Sequence, residues 1–181
     1  MKVAVHFAEG FEEIEALAPV DILRRAEIEC VTVSVTGNKE VSSTRGVKVL
    51  ADKLIDDVDY SDIDMLILPG GMPGTKNLGQ SKKLLEIILK FYNEKKWLAA
   101  ICAAPSVFGE LGILKNETAV CYPGVEEKLE GANIGSEKCV VSNKIITSKG
   151  PGTAMDFSFK IVEVLKNIET AEKLKKAMIY Y

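Results

Sequence analysis

The strand near Asp64 to Leu68 and the one from Trp97 to Ile101 are apolar at successive positions, not at alternate ones. Side chains of a strand alternate between the two faces of its sheet, so both faces of these two strands must be covered. A parallel sheet sandwiched between helices meets that demand, whereas an antiparallel sheet with one wet face would show alternation.

The rest of the chain supplies the covering. A strand is expected near Lys2 to Ala8, a helix from about Glu12 to Ala26, a strand near Cys30 to Val35, and a helix from about Ser81 to Asn93. After a shorter β-rich section, Ile145-Ile146-Thr147 leads to a helix with Ala154, Phe157, Ile161, Val164 and Leu165 on one stripe. In the first helix Ile14, Leu17, Ala18 and Ile22 share a face, Arg24 and Arg25 suit the C-terminal dipole, and Pro19 predicts a kink. Ser81 is the expected N-cap of the second. Strands alternating with helices give a doubly wound, mostly parallel α/β sheet. With 181 residues, 47% of them hydrophobic, one domain spanning 1–181 buries about 70% of the surface of its unfolded chain.

Ligands of such sheets sit beyond the carboxyl ends of the strands. Three strands here run into turn chemistry: Ala8-Glu9-Gly10-Phe11, Leu68-Pro69-Gly70-Gly71-Met72-Pro73-Gly74 and Ile101-Cys102-Ala103-Ala104-Pro105. All three are expected at one edge. Cys102 then stands on a strand-to-helix turn, where unpaired helix amides and the helix dipole favour a thiolate. A buried free cysteine is equally an ordinary packing residue. Cys30, Cys121 and Cys139 lie in β-branched stretches and read as packing.

A thiolate adding to a carbonyl needs donors for the developing oxyanion. The pair Gly70-Gly71 can present an N–H with no side chain in the way, and Ala103 can present another, although paired glycines are also common turn residues. Among the acids Glu9, Glu12, Glu13 and Glu15, most read as solvated charges at a helix start. Glu15 falls at the margin of the apolar face, where half-burial would favour its protonated form and let it serve the sulfur. His6, the sole histidine, lies inside the first strand and reads as a hydrogen-bonded packing residue.

Several functions are excluded. Lys and Arg number 23 against 26 Asp and Glu and are not clustered, so there is no footprint for nucleic acid. Four cysteines without a C-x-x-C pair, and one histidine, do not match zinc spacing. Gly70 to Lys76 lacks the Gly-Lys adjacency of a P-loop, and Gly150-Pro151-Gly152 has Met155 where a dinucleotide fingerprint wants glycine. No cofactor is expected. No run approaches the ~18 apolar residues of a membrane span, so the expectation is a cytoplasmic protein without a membrane partner.

Five segments together resemble the ThiJ/PfpI superfamily, in its parkinsonism-associated protein deglycase branch: Glu12-Glu13-Ile14-Glu15, Pro19-Val20-Asp21 with Arg24-Arg25-Ala26, Leu68-Pro69-Gly70-Gly71, Ala100-Ile101-Cys102-Ala103, and Thr147-Ser148-Lys149-Gly150-Pro151-Gly152-Thr153. The resemblance implies a flavodoxin-like fold of the class I glutamine amidotransferase type, usually a homodimer. It implies Cys102 as nucleophile, Glu15 as a protonated carboxyl bonded to it, and Gly71 and Ala103 as backbone donors. It also implies cofactor-independent glyoxalase action, repair of glycated protein, and redox sensing or chaperone behaviour.

This sequence departs from that pattern in places. Tyr122 precedes Pro123 where the best-known branch has histidine, which makes Tyr122 the possible third member. Ala104 replaces a frequent glycine, and Lys149 an arginine. Ala103 stands where the peptidase branch has histidine, and no histidine follows Cys102 as amidotransferases require. The expectation is a cysteine-dependent enzyme acting on a small aldehyde or a glycated protein, neither peptidase nor amidotransferase. The alternative is a stress protein whose Cys102 is oxidised to sulfinate without turnover.

Overall fold

The computed structural model, which describes residues 1–181, puts the two doubly apolar runs in the middle of one sheet. Its strands are β1 (Lys2–Phe7), β2 (Glu29–Ser34), β3 (Glu40–Ser42), β4 (Lys48–Leu50), β5 (Lys53–Leu54), β6 (Met65–Leu68), β7 (Trp97–Ile101), β8 (Thr118–Ala119), β9 (Asn133–Ile134), β10 (Cys139–Ser142) and β11 (Ile145–Ser148). The main sheet has the order β10-β11-β7-β6-β1-β2-β5 and is parallel throughout except for β10 against β11. The chain winds outward from β1 to β2 and β5, then returns to β6 and continues to β7 and β11. The direction therefore switches between β1 and β6, and a cleft is expected beyond their carboxyl ends.

The pleat explains the double apolarity. Val3, Val5, Phe7, Met65, Ile67, Ala99 and Ile101 point into one core, while Ala4, Leu66, Leu68, Leu98 and Ala100 from the same strands point into the other. The first core is closed by α1 (Glu13–Arg25), α5 (Ala154–Leu165) and α6 (Ile168–Ala177). The second is closed by α2 (Gly74–Gln80), α3 (Lys82–Asn93) and α4 (Pro105–Glu110). Each large side chain so buried contributes about 1.5–3 kcal/mol, which is why the central strands carry no polar alternation.

One expectation changes and another is refined. The inner face of α1 is Glu15, Ala16, Pro19, Val20, Ile22 and Leu23, whereas Ile14 is 54% exposed and Leu17 and Ala18 are half-buried. Apolar residues surround this helix, so two stripes fit its period, and packing against α5 selects the one that turns Glu15 inward. Pro19 lies inside α1, which runs from Glu13 to Arg25. Ser81 is the N-cap residue of α3, as expected, but its side chain makes no cap bond; it also terminates α2, with its N–H on the Leu78 carbonyl. Near the last residues Tyr180 packs on Phe159, centroids 5.0 Å apart, while Ile179 and Tyr181 are exposed. No helix is long and apolar enough to cross a membrane.

Candidate active site

The three turns foreseen at one edge meet, and the first two interlock through their backbones. The Glu12 N–H donates to the Gly70 carbonyl at 2.9 Å, and the Gly74 N–H to the Gly10 carbonyl at 3.0 Å. A Cβ on Gly70 would lie 2.6 Å from the Cys102 Cβ and 2.7 Å from Glu15 Oε2. On Gly71, whose φ is +91°, it would lie 2.5 Å from the Glu12 nitrogen. Only glycine permits this approach.

Cys102 itself has φ of +65°, a left-handed conformation that costs a residue other than glycine about 1–2 kcal/mol. Its neighbours hold it there: its N–H donates to the Ser148 carbonyl at 3.0 Å, and its carbonyl accepts from the Tyr122 N–H at 2.8 Å. The side chain is 9% exposed. α4 begins only at Pro105 and runs six residues. The dipole of a long helix is therefore not what faces the sulfur; the backbone N–H groups of Gly71 and Ala103 do.

Glu15 is fully buried, not half-buried as its sequence position suggests. Its position in the first turn of α1 is secured by the Glu12 carboxylate, which accepts the Glu15 N–H at 2.8 Å. Oε2 accepts the Gly70 N–H at 2.9 Å, so of the glycine pair Gly70 serves the acid and Gly71 is left for an oxyanion. The carboxyl also sits against the Cys102 thiol, while Oε1 is shut away from water without a nitrogen or oxygen donor.

Burial pushes the Glu15 carboxyl up to about 7, against the pull of the thiol and the Gly70 amide. Burial also pushes the Cys102 thiol up to about 12, with the negative charge of Glu15 adding to the rise and the Gly71 and Ala103 amides opposing it. Desolvation of the sulfur therefore works against the thiolate that the two amides favour. The two groups titrate as a pair. With Glu15 ionised, its carboxylate is placed to take the thiol proton; with Glu15 protonated, the repulsion that raises the thiol disappears.

Tyr122 is half exposed, and its ring lies over Gly150, where a Cβ would be 3.3 Å from Cδ2. Its backbone reaches Cys102, but its hydroxyl bonds neither Cys102 nor Glu15, so it forms a wall. His6 is buried in β1 with Nε2 2.9 Å from the Tyr60 hydroxyl, and burial pushes it down to about 4. It is a packing residue, as expected. Cys30 and Cys121 are buried and Cys139 partly so, each pushed up by burial with charges nearby but no acid or amide hydrogen-bonded to the sulfur. No group of His, Cys, Asp and Glu is arranged to hold a metal ion. The sequence reading missed Ser148, whose backbone role carries no side-chain signal, and Glu12, whose capping role carries one in the Glu12-x-x-Glu15 spacing.

A thiol on a strained turn at the end of a central strand, with a buried acid against it, defines an α/β protein of the nucleophile-elbow kind. The DJ-1/PfpI family matches residues 1–164, and the chain belongs to that family. It is 39% identical over 179 residues to Protein DJ-1 homolog A of Arabidopsis thaliana, covering 98% of this chain and 46% of that relative, so it spans about half the relative's length. It is 33% identical over 172 residues to the glutathione-independent glyoxalase DJR-1.2 of Caenorhabditis elegans, covering 94% of this chain and 91% of that one. The solved structure of oxidised Toxoplasma gondii DJ-1 superposes with a TM-score of 0.95 at 41% identity, covering 99% and 98% of the two chains.

Proposed function

We propose that this protein is a cofactor-independent enzyme of the glyoxalase or deglycase type, in which Cys102 forms a hemithioacetal with a small reactive carbonyl. The single observation that carries this reading is the fully buried Glu15, raised to about 7, against the Cys102 thiol. A general base works best with a pKa near the operating pH. The naming of a full-length relative as a glyoxalase supports the reaction class.

On methylglyoxal, the thiol sulfur adds to the aldehyde carbon while its proton passes to the Glu15 carboxylate and on to the new alkoxide. The Gly71 and Ala103 amides stabilise the oxygen during addition. Glu15 then removes the hydrogen on the former aldehyde carbon, and a proton returns to the adjacent carbon, leaving a lactoyl thioester on Cys102. Water cleaves the thioester, releasing lactate and restoring the thiol. The net change is addition of one water.

Purified protein given methylglyoxal is expected to form lactate, with kcat/KM rising through an apparent pKa near 7. Cys102→Ala and Glu15→Gln are expected to lose that activity. Equal lactate rates from the unmodified protein and Cys102→Ala would overturn the reading. A second reading, a redox-responsive protein with Cys102 oxidised to sulfinate, draws on the oxidised Toxoplasma relative. It is checked by intact mass after mild peroxide, where Cys102 gains two oxygens before Cys30, Cys121 or Cys139 reacts.

A further inference from the structure

Three hydrogen bonds tie Glu12 into a closed ring with Gly70 and Glu15. The Glu12 N–H donates to the Gly70 carbonyl at 2.9 Å, the Gly70 N–H donates to Glu15 Oε2 at 2.9 Å, and the Glu15 N–H donates to Glu12 Oε2 at 2.8 Å. Each residue gives one bond and takes one, so the position of any member is set by the other two. The ring lies against the thiol: a Cβ on Gly70 would be 2.6 Å from the Cys102 Cβ. Where the ring holds the Glu15 carboxyl is therefore where acid and sulfur meet.

The bond from the Glu12 side chain is also the N-cap of α1. Ser, Thr or Asn would make such a bond without a charge. Glu12 adds a negative charge in the turn that carries Glu15, at a helix end that favours it. Ionising Glu15 then puts a second negative charge beside the first, and like charges at close range disfavour the ionised form. The Glu12 charge acts on Glu15 in the same direction as burial. The other titratable group that faces Glu15 is the Cys102 thiol, from the end of β7. The turn after β6 presents the Gly70 amide, and the turn after β11 presents Gly150, whose Cβ would lie 4.0 Å from Oε1 with the Tyr122 ring beside it. No lysine or arginine forms an ion pair with Glu12 or Glu15, so nothing offsets the charge.

We propose that Glu12 is the positioning residue of Glu15: its side chain fixes where the acid meets the Cys102 thiol, and its charge opposes ionisation of that acid. This role deepens the carbonyl reading and rests on it, since an acid that ionised more readily would be a weaker base toward the thiol and toward the hydrogen on carbon. The hydrogen bond sets the geometry of the base and the charge sets its strength. Substitution separates the two.

The Glu15 side-chain carboxyl is followed by carbon-13 NMR as a function of pH, its signal assigned by its loss in Glu15→Gln. Glu12→Gln keeps an oxygen that accepts the Glu15 N–H and removes the charge, so the Glu15 midpoint is expected to fall by about 0.5–1 unit. Glu12→Asp keeps both charge and cap and is expected to leave the midpoint in place. Glu12→Ala loses both, and its kcat/KM for lactate at the high-pH plateau is expected to lie about tenfold below that of Glu12→Gln, because the acid is no longer held. A Glu15 midpoint that does not move in Glu12→Gln, or that moves equally in Glu12→Asp, overturns the proposal. Equal plateaus for Glu12→Ala and Glu12→Gln overturn the positioning. Absence of lactate from the unmodified protein would instead count against the carbonyl reading, while the midpoints, which need no turnover, still decide the role of Glu12.

Discussion

Cys30 and Cys102 are both buried thiols raised to about 12 by desolvation, yet their surroundings differ in kind. Cys30 lies in the regular part of β2, paired in register with Val3 of β1. Its carbonyl accepts from the Arg24 guanidinium at 3.1 Å, but no acid or amide hydrogen-bonds its sulfur. Cys102 lies one residue past the end of β7 in a left-handed conformation, touching the one fully buried acid and facing two amides. The middle of the sheet spends its residues on apolar contact, while its carboxyl edge tolerates strain, an orphan carboxylate oxygen and glycines that no other residue replaces. The candidate site occupies the part of the fold where local rules are broken.

The comparison is tested most severely from the packed side. Phe157 is fully buried in the core under α5, and Phe157→Ala is expected to lower unfolding free energy by about 3–5 kcal/mol in denaturant titration. A loss near zero would mean that this face is not the rigid support of the site.

The edge predicts the opposite sign. Glu15 has a folded pKa of about 7 against an ordinary 4.5, so its protonated form is favoured by folding. That contribution is complete below pH 4.5 and is lost as the pH rises through 7. Glu15→Gln is therefore expected to stabilise the protein at pH 8 by up to about 3 kcal/mol and by little at pH 4, while lactate formation is lost. Thermal unfolding at the two pH values checks this, and equal shifts at both would separate the stability effect from the ionisation.

Glycines sharpen the contrast. Gly70→Ala forces a Cβ against Cys102 and Glu15 and is expected to cost about 1–3 kcal/mol. Gly79, inside α2 with only Val107 nearby at 3.8 Å, is expected to accept alanine with a gain of up to about 1 kcal/mol. Chemical denaturation of both variants reads the difference. The smallest effect belongs to Tyr122→Phe, since that hydroxyl bonds nothing in the site; stability should move by no more than about 0.5 kcal/mol. A loss of about 10²-fold in lactate formation would instead give the hydroxyl the weight of a general acid.

Much of this molecule was legible in its residues. Successive apolar positions in β6 and β7 demand two covered faces, and the turns at Gly10, Gly70 and Cys102 mark the edge where the strands release their chain. The motif around Cys102 identifies the family, and with it the acid at Glu15. These are properties of local pattern, set by the period of a strand and the stereochemistry of glycine.

What local pattern left open was decided by packing. Whether Ile14 or Glu15 faces inward depends on how α1 rolls against α5, and two stripes of the helix satisfied its period. Whether Cys102 rests as a thiolate depends on how completely the surrounding layers exclude water, because desolvation of charge grows with burial and no sequence position records it. Whether Gly70 serves the substrate or the acid depends on where Oε2 of Glu15 arrives. Each answer is a distance between residues far apart in the chain, and only the closed fold sets it.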